Sequence, residues 1–170
     1  MSIPAQARDR YGHFRPTDQV VEAWEHTREI AATLVAPIVV FQCPARFTPT
    51  PEHKANLRAF FQRIERGDLV LAWEPRGEWE DAEIATLCHD LDLVHCVDPF
   101  VRRPVTAGLA YFRLHGIGGY RYHYSDADLA RLLDWCIPFE MAYVLFNNVS
   151  MWDDALRFRA LVGQATSARR

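Results

Sequence analysis

The chain has 170 residues, of which 49% are hydrophobic, 12% aromatic and 24% charged, with 19 basic and 22 acidic side chains. This composition is typical of one globular domain with a hydrophobic core and excludes an intrinsically disordered chain. The formal net charge of -3 provides no global positive field. Non-specific nucleic-acid binding is therefore disfavoured, and any site for an anion must be local.

The sequence contains no apolar run that approaches the roughly 20 residues needed to cross a bilayer. The first stretch, 1–16, is polar and lacks the apolar core of a signal peptide. We therefore expect a cytoplasmic protein without a membrane partner. Its cysteines, Cys43, Cys88, Cys96 and Cys136, include no Cys-x-x-Cys pair, which favours reduced, buried thiols over a disulfide framework or a zinc site.

Apolar strand-like runs alternate along the chain with helix-like stretches, a pattern that indicates a parallel α/β sheet. Each predicted strand begins apolar and ends polar, and the strands cover 37–44, 68–76, 93–99, 109–116 and 141–148. The polar ends predict a site on the carboxyl side of the sheet. Because no Gly-x-Gly-x-x-Gly or Walker sequence follows a strand, a nucleotide-binding sheet is disfavoured.

Capping residues and apolar periodicity predict helices between most of these strands. Thr17 and Thr50 are suited to cap the first two helices, and Ser125 with Asp128 resembles a capping box before the fourth. The third helix is predicted over 79–91, and a last one follows Asp153. The apolar stripe of the first helix is Val20, Trp24, Thr27, Ala31 and Leu34. The connection over 100–108 is too short for a helix and is predicted to be a loop.

Several strand ends carry short segments with a specific order and spacing. They are FRPT at 14–17, VVFQCP at 39–44, WEPRGEW at 73–79, CVDP at 96–99, YFRLHG at 111–116, YHYS at 122–125 and FNN at 146–148. Together these segments resemble the domain of unknown function 72 family, the YecE-like proteins. The resemblance implies a TIM-barrel-like fold but no reaction, because the family is named for the lack of one.

The resemblance covers only the later part of the family's length, since 36 residues precede Pro37 and a complete eight-unit barrel takes at least ~200. The predicted fold class is therefore α/β, an incomplete TIM-like (β/α) barrel of five parallel strands whose N-terminal strands are missing. We expect one domain over 1–170, with a polar lead-in over 1–16 and a disordered tail over 163–170. Open strand edges predict a homo-oligomer or a complementary N-terminal fragment as partner.

Strand parity predicts which polar side chains face the barrel interior, because residues two apart share a face. Phe112 and Leu114 are suited to pack on helices, which turns Arg113 and His115 inward. The full inward set is Gln42, Glu74, Arg76, Asp98, Arg113, His115 and one of Asn147 and Asn148.

This inward set predicts a site for a small anionic or phosphate-bearing molecule. Glu74 or Asp98 would act as general base, His115 as acid or base, and Arg76 with Arg113 would clamp the anion. If the protein is an enzyme, a hydrolase or a lyase fits best. The structural alternative is a self-satisfied network that pairs Glu74 with Arg76 or Arg113, and Asp98 with His115.

Two loops at the same end of the predicted sheet interleave arginines with tyrosines. The arginines are Arg102, Arg103 and Arg121, and the aromatic residues around the last of them are Tyr120, Tyr122 and Tyr124. Such a rim suits phosphate, carboxylate or a nucleotide, although an ordinary solvated loop has the same composition. The rim leaves open a non-catalytic module that binds a nucleotide, a nucleic-acid end or a partner protein, and an inactive barrel fragment is a third alternative.

A divalent metal is a further alternative, held by Glu74, Asp98 and His115. It is disfavoured because only one histidine lies at a strand end and neither His-x-His nor His-Glu-x-x-His occurs. Of the remaining histidines, His53 is expected to be exposed on a helix, and His95 to share the outward face of its strand with Val97.

Overall fold

The computed structural model describes residues 10–167, and strands alternate with helices in this part of the chain except between the third and fourth strands. In chain order the elements are α1 (Asp18–Thr33), β1 (Ile38–Gln42), α2 (Pro51–Arg63), β2 (Val70–Glu74), α3 (Asp81–Leu91), β3 (Val94–Val97), β4 (Leu109–Leu114), α4 (Asp126–Cys136), β5 (Met141–Phe146) and α5 (Met151–Ser167). Each predicted strand is present at the predicted place. The connection between β3 and β4 is a loop, as the sequence indicates.

The chain divides into two compact units, Met1–Val94 and His95–Arg170. In the first unit β1 pairs in parallel with β2. In the second, β3 pairs in parallel with β4, and β4 with β5. Parallel strands in chain order, with helices between them, are the repeating arrangement of a TIM-like (β/α) barrel. The predicted fold class is confirmed, whereas a single domain over 1–170 stays a prediction.

In the first unit an aromatic cluster covers one face of β1. The Phe41 ring lies 5.6 Å from the Trp24 ring of α1 and 4.9 Å from the Phe61 ring of α2, measured between centroids. Trp24 is buried, and its indole N–H donates to the Glu65 carbonyl at 3.0 Å. Because Phe41 faces the helices, alternation along the strand turns Gln42 to the opposite face.

The apolar stripe predicted for α1 is only partly confirmed. Thr17 caps the helix by accepting from the Val20 N–H at 3.4 Å, and Trp24 and Ala31 are buried. Leu34, however, is 71% exposed. The helix ends at Thr33, so Leu34 lies past its last residue and does not continue the stripe, and Val35 takes a left-handed φ of +52°.

Helix α2 also differs from expectation at one histidine. Thr50 caps the helix as predicted, and its hydroxyl accepts from the His53 N–H at 3.1 Å. The prediction that His53 is exposed is wrong, because its ring is half-buried and stacks on Phe47 with centroids 4.4 Å apart.

The core of the second unit lies between its strands and two helices. Phe112 and Leu114 of β4 are fully buried in one cluster with Leu129 and Leu132 of α4 and Phe158 of α5. The predicted parity of β4 is therefore confirmed. Tyr111 and Arg113 lie on the face of β4 that points away from these helices.

The start of α4 and the end of α5 can both be compared with the predictions. Ser125 and Asp128 form the predicted capping box at the start of α4. Helix α5 continues to Ser167, so the first part of the tail predicted over 163–170 is helical. Residues 168–170, and 1–9 of the predicted lead-in, lie outside the described residues.

The cysteines are free thiols. Burial raises the pKa of Cys88 to about 12, and those of Cys43 and Cys136 to about 11. These side chains therefore fill space in the core as protonated thiols. In residues 10–167, none of the helices combines the length and the apolar character needed to span a membrane.

Candidate functional site

The first unit holds an acid–base pair at the end of β2. Glu74 lies opposite Gln42 in the parallel register of β1 and β2. Its carboxylate is buried, and Oε1 accepts from the Arg76 Nε at 2.9 Å, while Arg76 itself is more exposed. This is one of the two pairings expected in a structural network, and the charge-assisted bond offsets part of the cost of burying the carboxylate.

The turn after this pair is fixed by close packing against Phe47. The Trp79 indole N–H donates to the Phe47 carbonyl at 2.7 Å. A Cβ placed on Gly77 would lie only 2.5 Å from the same carbonyl oxygen. Position 77 of the WEPRGEW segment therefore requires glycine, because any side chain would clash with the Phe47 carbonyl. This close packing fixes the course of the chain just after Arg76.

A cavity of about 420 Å³ lies beside the end of β1 in the first unit. Gln42 contributes to its wall, together with Phe14, Trp24, Phe47 and the cation Arg46. The wall is mostly aromatic and apolar, so this cavity does not have the charge expected of an anion site.

In the second unit Asp98 organises the loop that follows β3. Its Oδ1 accepts from the Phe100 N–H at 3.0 Å and its Oδ2 from the His115 N–H at 2.8 Å. Its backbone carbonyl accepts from the N–H groups of Val101 and Arg102. Asp98 thus shapes the turn that carries Arg102 and ties this turn to the end of β4.

The Asp98 geometry bears on two expectations from the sequence. Asp98 and His115 are hydrogen-bonded to each other, as expected, and one bond comes from the His115 backbone N–H. Since each carboxylate oxygen already accepts a backbone N–H, the arrangement fits a structural role better than that of a general base.

The strand face that carries Arg113 also carries a pair of stacked tyrosines. Tyr111 of β4 and Tyr143 of β5 are register partners, and their ring centroids lie 5.8 Å apart. The Asn147 N–H continues the ladder by donating to the Leu114 carbonyl at 2.8 Å. Alternation along β5 therefore puts Asn147 on the side of Tyr143 and Arg113.

Asn148 has a different environment from Asn147. It is buried, and its Nδ2 donates to the Tyr122 carbonyl at 2.8 Å and to Asp154 Oδ2 at 2.6 Å. The sequence left open which asparagine joins Arg113, and this geometry favours Asn147. Asn148 instead holds the loop after β4 against α5.

Two of the predicted rim arginines meet in a cavity of about 350 Å³ in the second unit. Arg102 and Arg103 line it with Arg131 of α4, and Phe100 and Trp135 supply its aromatic surface. The Arg103 guanidinium carbon lies 3.9 Å from the centre of the Trp135 ring. That of Arg131 lies 5.3 Å from the centre of Phe100. We call this the arginine cavity.

Arg131 and Trp135 are not among the residues predicted from the sequence. They are four residues apart on α4, a spacing that puts them on the same helix face. The spacing predicts that the two side chains share a face of α4. It does not predict that this face lies beside the loop after β3, and only that position makes the two residues part of the cavity.

One arginine of the arginine cavity, Arg131, is paired with a carboxylate of its own helix. Arg131 donates to Asp128 Oδ1 at 2.8 Å, while Asp128 Oδ2 accepts from the hydroxyls of Tyr122 and Ser125 at 2.8 and 2.7 Å. Burial opposes ionisation of Asp128, but these hydrogen bonds outweigh it and hold the pKa of the carboxyl below its ordinary value. Arg102 and Arg103 add two further positive charges to the wall.

The other predicted rim residues lie elsewhere. Arg121 is exposed beside Tyr120, with its Nε 3.4 Å from the tyrosine hydroxyl. Tyr124 was expected at the rim, but it is buried in the core of the second unit, where its hydroxyl accepts from the Gly116 N–H at 2.9 Å. Burial also raises the pKa of Tyr124. Its role is therefore to pack the loop after β4.

The metal alternative gains no support from the described residues. In the range 10–167, no group of three or more His, Cys, Asp or Glu side chains is arranged to hold a metal ion. The expectation that Glu74 of the first unit acts together with Asp98 and His115 of the second stays a prediction.

The two units together define a class of protein. Parallel strands in chain order, helices on one strand face and polar groups at the carboxyl ends of strands characterise α/β proteins of the (β/α) barrel type. The sequence model of the family described as "Protein of unknown function DUF72" matches residues 6–169. The chain belongs to this family, which confirms the resemblance seen in the short segments.

Two solved structures share this fold. A DUF72 family protein from Enterococcus faecalis V583 is 20% identical, with a TM-score of 0.71 over 87% of this chain and 68% of its own. One from Thermotoga maritima MSB8 is also 20% identical, with a TM-score of 0.67 over 84% of this chain and 65% of its own. The chain therefore spans about two thirds of each structure. No curated protein matches the sequence.

Proposed function

We propose that the protein binds a small anionic or phosphate-bearing ligand in the arginine cavity. The observation that carries the proposal is the meeting of Arg102, Arg103 and Arg131 with two aromatic rings around one space of about 350 Å³. Guanidinium groups recognise phosphate and carboxylate through paired, charge-assisted hydrogen bonds. A net charge of -3 for the whole chain makes this local concentration of positive charge more distinctive.

The stacking in the cavity supports binding of an oriented anion. A guanidinium that lies flat on an aromatic ring uses its face for the stack and keeps its N–H groups in its own plane. The Arg103 guanidinium carbon lies 3.9 Å from the centre of the Trp135 ring, a distance at which the ring attracts the cation. In this proposal the N–H donors of Arg103 bind the anion, and the ring restricts the freedom that binding would otherwise remove.

Among the alternatives, binding is favoured over acid–base catalysis at Asp98. The Asp98 carboxylate accepts two backbone N–H groups, and its carbonyl shapes the turn that carries Arg102. Asp98 in this proposal positions the arginines. Hydrolase or lyase chemistry by Glu74 and His115 stays an expectation, as does a cytoplasmic location.

Isothermal titration with inorganic phosphate, pyrophosphate and adenosine monophosphate tests the proposal at low and moderate salt. We expect at least one of these anions to bind, and Arg103→Ala to weaken its affinity by roughly tenfold or more, the cost of a lost charge-assisted contact. Arg159→Ala, an exposed change on α5, is the matched control and should leave affinity unchanged. Failure of all three anions to bind, or equal affinities for the two variants, would contradict the proposal.

A further inference from the structure

A serine and a histidine outside the arginine cavity form a close pair. Ser150 Oγ lies 2.6 Å from His123 Nε2. Ser150 immediately precedes α5, and its carbonyl accepts from the Asp154 N–H, the first bond of the helix. A serine at this position ordinarily uses its hydroxyl to cap the helix. Here the hydroxyl is hydrogen-bonded to an imidazole nitrogen.

Hydrogen bonds join the segment that carries His123 to the segment that carries Ser150 on both sides of the pair. Next to His123, the Tyr122 carbonyl accepts from Asn148, which also donates to Asp154 of α5. Next to Ser150, the Val149 N–H donates to the Tyr120 carbonyl at 2.6 Å. The hydroxyl and the imidazole are therefore held in register by bonds that do not involve either of them.

The sequence neighbours of Ser150 are exposed apolar side chains. Val149 and Met151 are 59% and 51% exposed, and Trp152 is 74% exposed. Tyr120, which is bonded to Val149, is 60% exposed. A group of exposed apolar side chains marks an interaction site more often than a random stretch of surface does. Next to a serine in the sequence, such side chains are suited to contact the apolar part of a small substrate.

We infer that Ser150 and His123 form a nucleophile–base pair that cleaves uncharged carboxylic esters with an apolar acyl or aryl group. This activity is independent of anion binding in the arginine cavity. The serine must donate its hydroxyl proton to His123 Nε2, which requires a neutral imidazole with its own proton on Nδ1.

The reaction has two steps. Ser150 Oγ bonds to the ester carbonyl carbon as its proton moves to His123 Nε2; the bond from this carbon to the alkoxy oxygen then breaks, and the alcohol leaves with that proton. Water next attacks the acyl group on Ser150 and gives its proton to His123. The carboxylic acid is released as the serine recovers its proton.

A fluorophosphonate probe and para-nitrophenyl acetate test this inference on the full chain. The probe should label Ser150, located by peptide mass mapping, and ester cleavage should show a burst of para-nitrophenol. His123→Gln keeps a polar, exposed side chain but removes the base. The labelling rate should therefore fall at least about tenfold, a cautious threshold because general-base catalysis typically raises rates by about 10²–10⁴-fold. Ser167→Ala, near the end of α5, is the matched control and should label as the unchanged protein does.

The outcomes decide the inference without a variant of Ser150, because the labelled site is mapped in the unchanged sequence. Labelling at Ser150 that falls at least tenfold in His123→Gln supports it. No labelling of Ser150, labelling at other residues only, or a smaller fall in His123→Gln overturns it. Thermal melts of both variants show that the comparison is between folded proteins.

Discussion

At the scale of single residues, Asp98 links the fold to the proposed site. Its side chain accepts from Phe100 and His115, so Asp98→Ala leaves two backbone N–H groups without these partners. We expect a loss of about 1–3 kcal/mol in the free energy of unfolding, and weaker anion binding as the turn before Arg103 loosens.

Urea unfolding and titration calorimetry measure these two effects of Asp98→Ala. Asp98→Asn, which keeps one acceptor oxygen, should fall between the alanine variant and the unchanged protein. An alanine variant with unchanged stability and affinity would show that Asp98 does not organise this loop.

The backbone conformation and close packing at position 116 require glycine. It has a φ of +89°, and a Cβ there would lie 2.2 Å from the Gly119 carbonyl oxygen. Gly118 has a similar φ of +77° but nothing within 4 Å of the position of a Cβ. Gly116→Ala should therefore destabilise the protein by more than the roughly 1–3 kcal/mol of a strained backbone alone.

Gly118→Ala is the matched control, because it carries the strain without the clash. Denaturant melts of the two variants should show the larger loss for Gly116→Ala. Equal losses would mean that the turn moves to accommodate a side chain at 116.

At the scale of elements, the start of α4 gives a prediction about pH. The pKa of Asp128 is lowered in the folded protein from an ordinary value of 3.8, so its ionised form stabilises the fold. This stabilisation is complete above the unfolded-state pKa and is lost as the pH falls through the lower folded-state pKa. The stability advantage over Asp128→Asn should therefore be constant from pH 7 to about 5 and shrink below about 4.

Urea unfolding of both proteins between pH 7 and pH 2.5 measures this advantage. Ser125 and Tyr122 keep their side chains in the variant, so the pH dependence of the difference reports the titration of Asp128. An advantage that is unchanged at the lowest pH would contradict the role given to the ionised carboxylate.

The elements themselves were largely predictable because their signals are local. The threonine caps of α1 and α2 and the Ser125–Asp128 box act within a few residues, and alternation in β4 follows from its own apolar side chains. Predictions that needed a neighbouring element were less successful. His53 stacks on Phe47, and the buried Tyr124 hydroxyl accepts from the Gly116 N–H. Neither contact can be predicted from the spacing of residues within one element.

At the scale of the whole molecule, family membership and fold class followed from the order of short strand-end segments. The site was harder to predict, since its residues come from different elements. Arg102 and Arg103 were expected, but their neighbour Arg131 lies on a helix, and Arg113 lies on the face of β4 away from α4. Self-association, or pairing with a complementary fragment, stays a prediction from the sequence.

The most direct test of the arginine cavity is a crystal structure of this chain grown with pyrophosphate. We expect density for the anion between Arg102, Arg103 and Arg131, with guanidinium N–H groups at about 2.7–2.9 Å from its oxygens. Arg113→Ala crystals should show the same density, because Arg113 lies on the other face of β4. An empty cavity beside pyrophosphate bound at Arg113, or density that disappears in Arg113→Ala, would show that the arginine cavity is not the anion site.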